Sequence, residues 1–326
     1  MRAILQHGFG DPTTVLKLGA ADRPEPLDHE VLVRVRASSV NAGDWLGTVG
    51  RPYVMRPTFG VRRRRPSIPG KDVAGTVEAV GASVTAFVPG DEVYGELTRG
   101  GFGEYVAANP KMIARAPRNL SHAQAAAVPL AGMTALQGIR DAGGVESGKT
   151  VLVIGASGGV GTFAVQIASA LGAHVTGVCS TRNLDFVRDL GADAVVDYTS
   201  DDFSRAEPRY DVVLDLIGSH KVGTMRRLLT AEGTYVAASG RPGGDFLGPL
   251  PYFLRAGLAS LRRSGPQVRV LVTKTNADDL LVLTTMIETK LIAPVIDRAC
   301  ELAQVPDAIA YQGAGHTQGK TVINIG

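Results

Sequence analysis

The segment whose chemistry is plainest is Val151-Leu152-Val153-Ile154-Gly155-Ala156-Ser157-Gly158-Gly159-Val160-Gly161. Its apolar start is a short strand, its glycines make a tight turn, and Val160–Leu171 continues as a helix stopped by Gly172. Ala156, Gly158 and Gly161 fit an Ala-x-Gly-x-x-Gly form of the dinucleotide fingerprint. Glycines let the backbone approach a diphosphate, and the helix start presents N–H groups and the positive end of its dipole. The alternative is a tight structural turn in another α/β protein. The strand before the glycines and the helix after them favour the nucleotide.

The next strand, His174–Val178, bears on which dinucleotide binds. A carboxylate at its tip would grip a free ribose 2′-hydroxyl and repel a 2′-phosphate. The tip reads Cys179-Ser180-Thr181-Arg182-Asn183, hydroxyls and a guanidinium with no acid. Arg182 can pair bidentately with a phosphate, so the expected cofactor is NADPH. Alternatively, Ser180 caps the following helix and Arg182 points to water.

No metal chemistry is expected. The two cysteines, Cys179 and Cys300, and the histidines His7, His29, His122, His174, His220 and His316 show no ligand spacing. Two cysteines cannot build a disulfide framework and suit a reducing cytoplasm. Cys179 is expected to be a buried packing residue. A net charge of +3 gives no support for nucleic-acid binding. No apolar run approaches a membrane span, and Met1–His7 lacks a signal-peptide core. The run Arg62–Arg65 is expected to be a solvated loop, with attraction of an anionic substrate or partner as the alternative.

These groups need a scaffold. Up to about residue 120 the chain is mainly β, with strands at Val31–Ala37, Val73–Val80 and from Glu92, and Gly or Pro turns between them. After Pro117 come helices at Ser121–Ala127 and Leu130–Asp141. Then strands at Val151–Ile154, His174–Val178, Ala194–Asp197, Val212–Leu216, Thr234–Ala238 and Gln267–Thr273 alternate with helices. That pattern predicts a doubly wound parallel sheet. A helix Ala277–Thr289 follows, then strand Ala293–Ala299, helix Val305–Tyr311 and strand Gly319–Ile325. The irregular stretch 241–265, with Arg241, Phe246, Leu247, Tyr252 and Phe253, is expected to be a lid or a dimer contact.

Taken together, Ser39-Val40-Asn41-Ala42-Gly43-Asp44, Pro69-Gly70-Lys71-Asp72-Val73-Ala74-Gly75, Pro89-Gly90-Asp91-Glu92-Val93, Gly100–Tyr105, Ala127–Ala135, the glycine turn, Gly191-Ala192-Asp193 and Gly319-Lys320-Thr321-Val322 resemble the medium-chain dehydrogenase/reductase superfamily. The likeness is to its zinc-free quinone oxidoreductase branch and spans nearly the whole chain. It implies an α/β protein with a GroES-like β-barrel catalytic domain, residues 1–120 completed by 291–326. A Rossmann domain over 121–290 accompanies it, with the active site in the cleft between the two and a homodimer joined through the Rossmann sheets. Zinc members carry Gly-His-Glu where this chain has Gly70-Lys71-Asp72.

By motif position the resemblance puts Asn41 near the nicotinamide ribose and Thr134 near the nicotinamide. It puts Ser157, Gly158, Gly159 and Val160 around the pyrophosphate, with Gly155 and Ala156 also in the cofactor site. Ser180 and Arg182 would take the 2′-phosphate, Tyr198 would lie near the adenosine, Leu216, Ile217 and Ser239 would border the dinucleotide, and Lys320 would face it. Leu46 stands where the family often has tyrosine, which leaves Tyr53, Asn41 or water as proton source. Asp44 is a further catalytic candidate or polar scaffolding, and Trp45 packs or borders the pocket. The expected activity is hydride transfer from NADPH to a quinone or α,β-unsaturated carbonyl. The alternatives are an NADP-dependent alcohol or aldehyde oxidoreductase and a non-catalytic NADPH-binding protein.

Overall fold

The structure, a computed structural model, describes residues 1–59, 66–205, 210–239, 244–261, 265–315 and 317–326. Arg62–Arg65, Arg241 and His316 lie outside the described residues. The chain divides into two units. One comprises Met1–Arg51, Met55–Met133 and Lys274–Gly326, the other Pro52–Val54 and Thr134–Thr273.

The first unit holds strands β1 (Arg2–Gln6), β2 (Leu16–Ala20), β3 (Val31–Val40), β4 (Asp72–Val80), β5 (Glu92–Glu96), β6 (Tyr105–Ala108) and β7 (Ile113–Arg115). The second holds β8 (Thr150–Ile154), β9 (His174–Cys179), β10 (Ala194–Asp197), β11 (Tyr210–Asp215), β12 (Leu229–Ala237) and β13 (Gln267–Val270). Strands β14 (Ile296–Glu301) and β15 (Lys320–Asn324) return to the first.

In the first unit β1 and β2 form an antiparallel ribbon, and the main sheet runs β14-β15-β3-β4-β5-β7, with β6 also paired to β3. The Val-rich β3 is buried along most of its length because both sheet faces are covered. Val33, Val35, Val73, Val93, Phe102, Ile113 and Ile323 close the core around it. Each such side chain contributes roughly 1.5–3 kcal/mol when fully buried. β15 lies antiparallel to β3 with Thr321 opposite Val40. That register delivers Lys320 to the end of β3, where Asn41 begins the helix Ala42–Val49.

The sequence-based boundaries at 120 and 290 differ from the packing, which places them at Met133/Thr134 and Thr273/Lys274. The reasons are specific contacts. Ala125 and Ala126 of the helix His122–Ala126 are buried, and that helix packs on β3 and β4. The helix Ala277–Glu288 receives the Tyr94 hydroxyl at the Leu280 carbonyl (2.6 Å), while the Arg118 amide donates to Glu288 Oε1 (2.9 Å). The expected single helix Leu130–Asp141 is instead Pro129–Leu136 followed by a wider π turn, Gln137–Ala142, in which the Gly143 amide reaches back to Gly138.

The second unit's sheet is wholly parallel, in the order β10-β9-β8-β11-β12-β13. This is the doubly wound order with its switch point between β8 and β11. At the carboxyl end of β11, fully buried Asp215 accepts the amides of Ile217 (3.0 Å) and Gly218 (2.8 Å) on Oδ1 and the Tyr235 hydroxyl (2.8 Å) on Oδ2. The Tyr235 hydroxyl in turn meets that of Tyr252. Burial, followed by the Asp215 charge, pushes the Tyr235 phenol well above its usual range.

Tyr252 sits on the helix Leu250–Ser260 and belongs to the core, so the expectation of a lid does not hold for it. Phe253 packs beside it, whereas Phe246 and Leu247 are exposed. Replacing Asp215 with Ala would leave two amides and a hydroxyl without their acceptor. That change is expected to lower unfolding free energy by roughly 2–4 kcal/mol, against roughly 1 kcal/mol for Tyr235→Phe. Equal midpoints for Asp215→Ala and wild type in chemical denaturation would refute this anchoring.

Candidate functional site

The glycine-rich turn leaves β8 at Gly155, whose φ of +85° lies in the left-handed region that favours glycine. Gly158 precedes the helix Gly159–Ala170, whose first turn carries amides with no partner inside the helix. A Cβ added at Gly161 would stand 2.1 Å from the Gly155 carbonyl oxygen, so only glycine allows helix and strand this close. The result is a cradle of N–H groups above the sheet at its switch point, which suits a diphosphate. Ser157 adds a half-buried hydroxyl to it.

One strand over, Ser180-Thr181-Arg182-Asn183 turns off β9. Ser180 is half-buried, Arg182 exposed, and Asn183 turned inward and buried. The Asn183 amide donates to Ser157 Oγ (2.9 Å) and Ser180 Oγ (3.3 Å), joining the two turns. An acid does stand here, although none was expected. Asp197, at the end of β10, accepts the Thr181 hydroxyl (2.5 Å) on Oδ2 and the Thr199 hydroxyl (2.7 Å) and amide (2.9 Å) on Oδ1. Those hydroxyls, Thr181 first, hold its carboxyl below the usual range. The reading of β9 alone missed it because it comes from the neighbouring strand, parallel and in register with Cys179.

The first unit gathers a second polar group at the end of β3. Asp72, fully buried, accepts Ser39 Oγ (2.7 Å), Asn41 Nδ2 (2.9 Å) and Lys320 Nζ (3.4 Å) on Oδ2, and the Leu130 amide (3.0 Å) on Oδ1. Lys320, only 4% exposed, also donates to the Val40 carbonyl (3.2 Å) and to Asn41 Oδ1. The Asn41 side chain is thus held at both ends. An amide is no proton source near neutral pH, so this geometry makes Asn41 a fixed polar group rather than an acid.

Asp44 accepts the Asn41 amide (2.8 Å), the bond of a capping box at a helix start. Burial, with help from the Asp72 charge, raises its pKa to about 7, against the pull of the Asn41 amide and the charges of Lys71 and Lys320. Glu96 is raised too, first by burial and then by Asp72; it accepts Thr275 Oγ1 (2.8 Å) and lies 3.8 Å from Lys71.

Comparison with known proteins bears on this pair of units directly. The alcohol dehydrogenase GroES-like domain family matches residues 27–118, and the zinc-binding dehydrogenase family matches residues 190–323. A chloroplast envelope quinone oxidoreductase homolog of Arabidopsis thaliana is 31% identical, with 99% of this chain and 98% of that protein covered. The chain belongs to the medium-chain dehydrogenase/reductase superfamily. It lies in the superfamily's quinone and enone reductase branch, and it is an oxidoreductase that uses a nicotinamide cofactor. A 2-methylene-furan-3-one reductase of Solanum lycopersicum is 32% identical over 92% of this chain and 73% of its own length. The solved quinone oxidoreductase from Coxiella burnetii superposes with a TM-score of 0.87 at 30% identity, covering 100% of this chain and 99% of that one.

The remaining family positions are placed as follows in this medium-chain dehydrogenase/reductase. Thr134 accepts the Thr273 hydroxyl (3.1 Å) within the second unit. Ile217, 53% exposed, lies against Gly155, and Leu216 beside it is half-buried. The Ser239 amide bonds the Asp215 carbonyl (3.3 Å) at the same strand end. Tyr198 is 59% exposed and hangs its amide on Cys179. Tyr53 packs with the second unit, whereas Asn41 and Asp44 belong to the first. Trp45 packs against the first unit's core. Cys179 is buried, which pushes its thiol up to about 11 and fits a packing role. Among the described residues no cluster of His, Cys, Asp or Glu is arranged to hold a metal.

Asp44 has a testable signature. Its folded pKa of about 7 lies above the ordinary 3.8, so the folded chain binds a proton that the unfolded chain has lost between those values. Asp44 therefore favours the fold below the unfolded pKa, and that contribution fades as pH rises through the folded one, at roughly 1.4 kcal/mol per pH unit at most. Asp44→Asn keeps an acceptor for the Asn41 amide and removes the titration. Its unfolding free energy is expected to gain on wild type from pH 4 to pH 7. A constant difference across that range would show that Asp44 is not the titrating group.

Proposed function

We propose that this oxidoreductase uses NADPH, without zinc, to reduce quinones or α,β-unsaturated carbonyl compounds. The observation that carries the cofactor choice is the turn after β9. It presents the Ser180 hydroxyl and the exposed Arg182 guanidinium beside the glycine cradle, while the nearby Asp197 carboxylate is already occupied by Thr181 and Thr199. A guanidinium matches a 2′-phosphate in charge and geometry. The relatives named for quinone and methylene-furanone reduction support the acceptor class.

When bound, the nicotinamide supplies the hydride. The glycine cradle and Ser157 hold the diphosphate, and Ile217 with Leu216 gives an apolar border beside it. Lys320 and Asp72 fix the Asn41 carboxamide in one orientation at the end of β3 for the nicotinamide ribose. A conjugated carbonyl takes up the developing charge itself, so it needs less Lewis-acid help than ionising an alcohol does. Lys71 and Asp72 stand where zinc members carry Gly-His-Glu's ligand, and they are engaged by Glu96 and by the Asn41–Lys320 network. The proton for the reduced acceptor comes from water, with the phenol of Tyr53, which is 39% exposed, as the side-chain candidate. A homodimer through the Rossmann sheet is supported by the edge position of β13, and a cytoplasmic setting by two free thiols.

Purified enzyme is expected to oxidise NADPH with quinones and enones in the presence of a zinc chelator, and not to turn over simple alcohols with NADP. Loss of all activity on chelation, with stoichiometric zinc in the preparation, would contradict this. Arg182→Ala is expected to weaken NADPH roughly 10- to 100-fold and NADH by less than about threefold, since only the former carries the charge that Arg182 reads. Equal losses would remove Arg182 from the 2′-phosphate site.

A further inference from the structure

Asn183 lies between the two turns assigned to the cofactor's phosphates, and it is buried beneath them. A carboxamide nitrogen has two protons. Here Nδ2 donates to Ser157 Oγ at 2.9 Å and to Ser180 Oγ at 3.3 Å. The backbone of the same residue closes the second turn, its amide donating to the Ser180 carbonyl at 2.8 Å.

The direction of these bonds matters. A serine hydroxyl that accepts from below has its own proton left to give. Among the described residues neither Ser157 nor Ser180 donates that proton to another protein group. Ser157 belongs to the diphosphate cradle and Ser180 to the turn carrying Arg182. We propose that Asn183 is a positioning residue for cofactor phosphate recognition: by donating to both serines at once, it turns both hydroxyl protons outward toward anionic oxygens and locks the spacing between the diphosphate and 2′-phosphate sites. This rests on the NADPH assignment above. Hydrogen bonds to charged oxygens are the stronger kind, so orienting two donors in advance affects affinity as well as shape.

The two obvious substitutions separate orientation from packing. Asn183→Asp is close to isosteric, but its carboxylate accepts rather than donates. It draws both hydroxyl protons inward and sets a negative charge beneath the phosphates. Asn183→Ala removes the tie without reversing it. A purely structural role predicts that Asp resembles wild type more than Ala does. The proposed role predicts the reverse order for cofactor binding.

The test is calorimetric titration of NADPH and NADH into wild type, Arg182→Ala, Asn183→Ala, Asn183→Asp and Ser157→Ala/Ser180→Ala, with a melting curve for each. The expected results are a roughly tenfold loss of NADPH affinity for Asn183→Ala, a larger loss for Asn183→Asp, and a smaller loss of NADH affinity for both. Adding Asn183→Ala to the double serine variant should cost no further affinity. Where Asn183→Ala does not fold, the near-isosteric Asn183→Asp carries the test, since it keeps the shape, reverses the donation to both serines and must itself lose NADPH affinity at least tenfold. Asp binding NADPH better than Ala, or changes below twofold in a wild type that prefers NADPH through Arg182, would overturn the role of Asn183. A wild type with no NADPH preference would instead overturn the cofactor assignment, and this inference with it.

Discussion

The close approach of Gly161 to the Gly155 carbonyl is the constraint on which the nucleotide half of the molecule depends. No side chain fits there, since even a Cβ would be 2.1 Å from that oxygen. Because the helix start can come so near the end of β8, its unpaired amides stand at the top of the sheet where strand order reverses between β8 and β11. The neighbouring devices refer to this cradle. Asn183 ties Ser157 to the turn after β9, Asp197 holds that turn from β10, and Asp215 holds the Ile217 turn from β11. Two strand ends, at Asp197 and Asp215, and the turn after β9, at Asn183, thus each supply one polar side chain that shapes a loop.

The first unit solves a different problem. It buries an ammonium and a carboxylate together, which is costly unless every lone pair and proton is matched. Asp72 meets the requirement with four donors, and Lys320 with the Val40 carbonyl, Asn41 and Asp72 itself. Such a cluster is weak as a source of stability and effective as a source of uniqueness, because few arrangements satisfy it. It fixes the Asn41 side chain more tightly than packing alone would. Asp44, placed beside it by the capping bond, carries the penalty of a second buried carboxylate and holds its proton into the neutral range.

Much of this was legible in the sequence where the physics is local. The β-branched runs and glycine stops marked the second sheet's strands, and the strand-turn-helix spacing marked the cradle. What was not legible depends on distance along the chain or on which way a side chain turns. Asn41, Asp72 and Lys320 are brought together by the pairing of β15 with β3, across 279 positions between Asn41 and Lys320. Asp197 reaches the β9 turn only because β10 lies beside it. Asn183 sits in the very segment read for cofactor choice, but nothing in its neighbours shows that it faces inward. The Asn41-x-x-Asp44 spacing is a capping signal for the helix Ala42–Val49. The unit boundaries moved because Tyr94 and Asn119 bind the helix Ala277–Glu288 to the first unit, a choice made by single side chains rather than by periodicity.

The role proposed for the turn from Gly155 to Gly161 is to bind the diphosphate of a nicotinamide dinucleotide. Nicotinamide fluorescence of NADPH, titrated with wild-type protein and with Gly161→Val, tests it most directly. Saturable binding of one NADPH per chain by the wild type, absent in a Gly161→Val variant that keeps its first unit folded, is the predicted result. Wild-type protein that binds neither NADPH nor NADH at millimolar concentrations would contradict it.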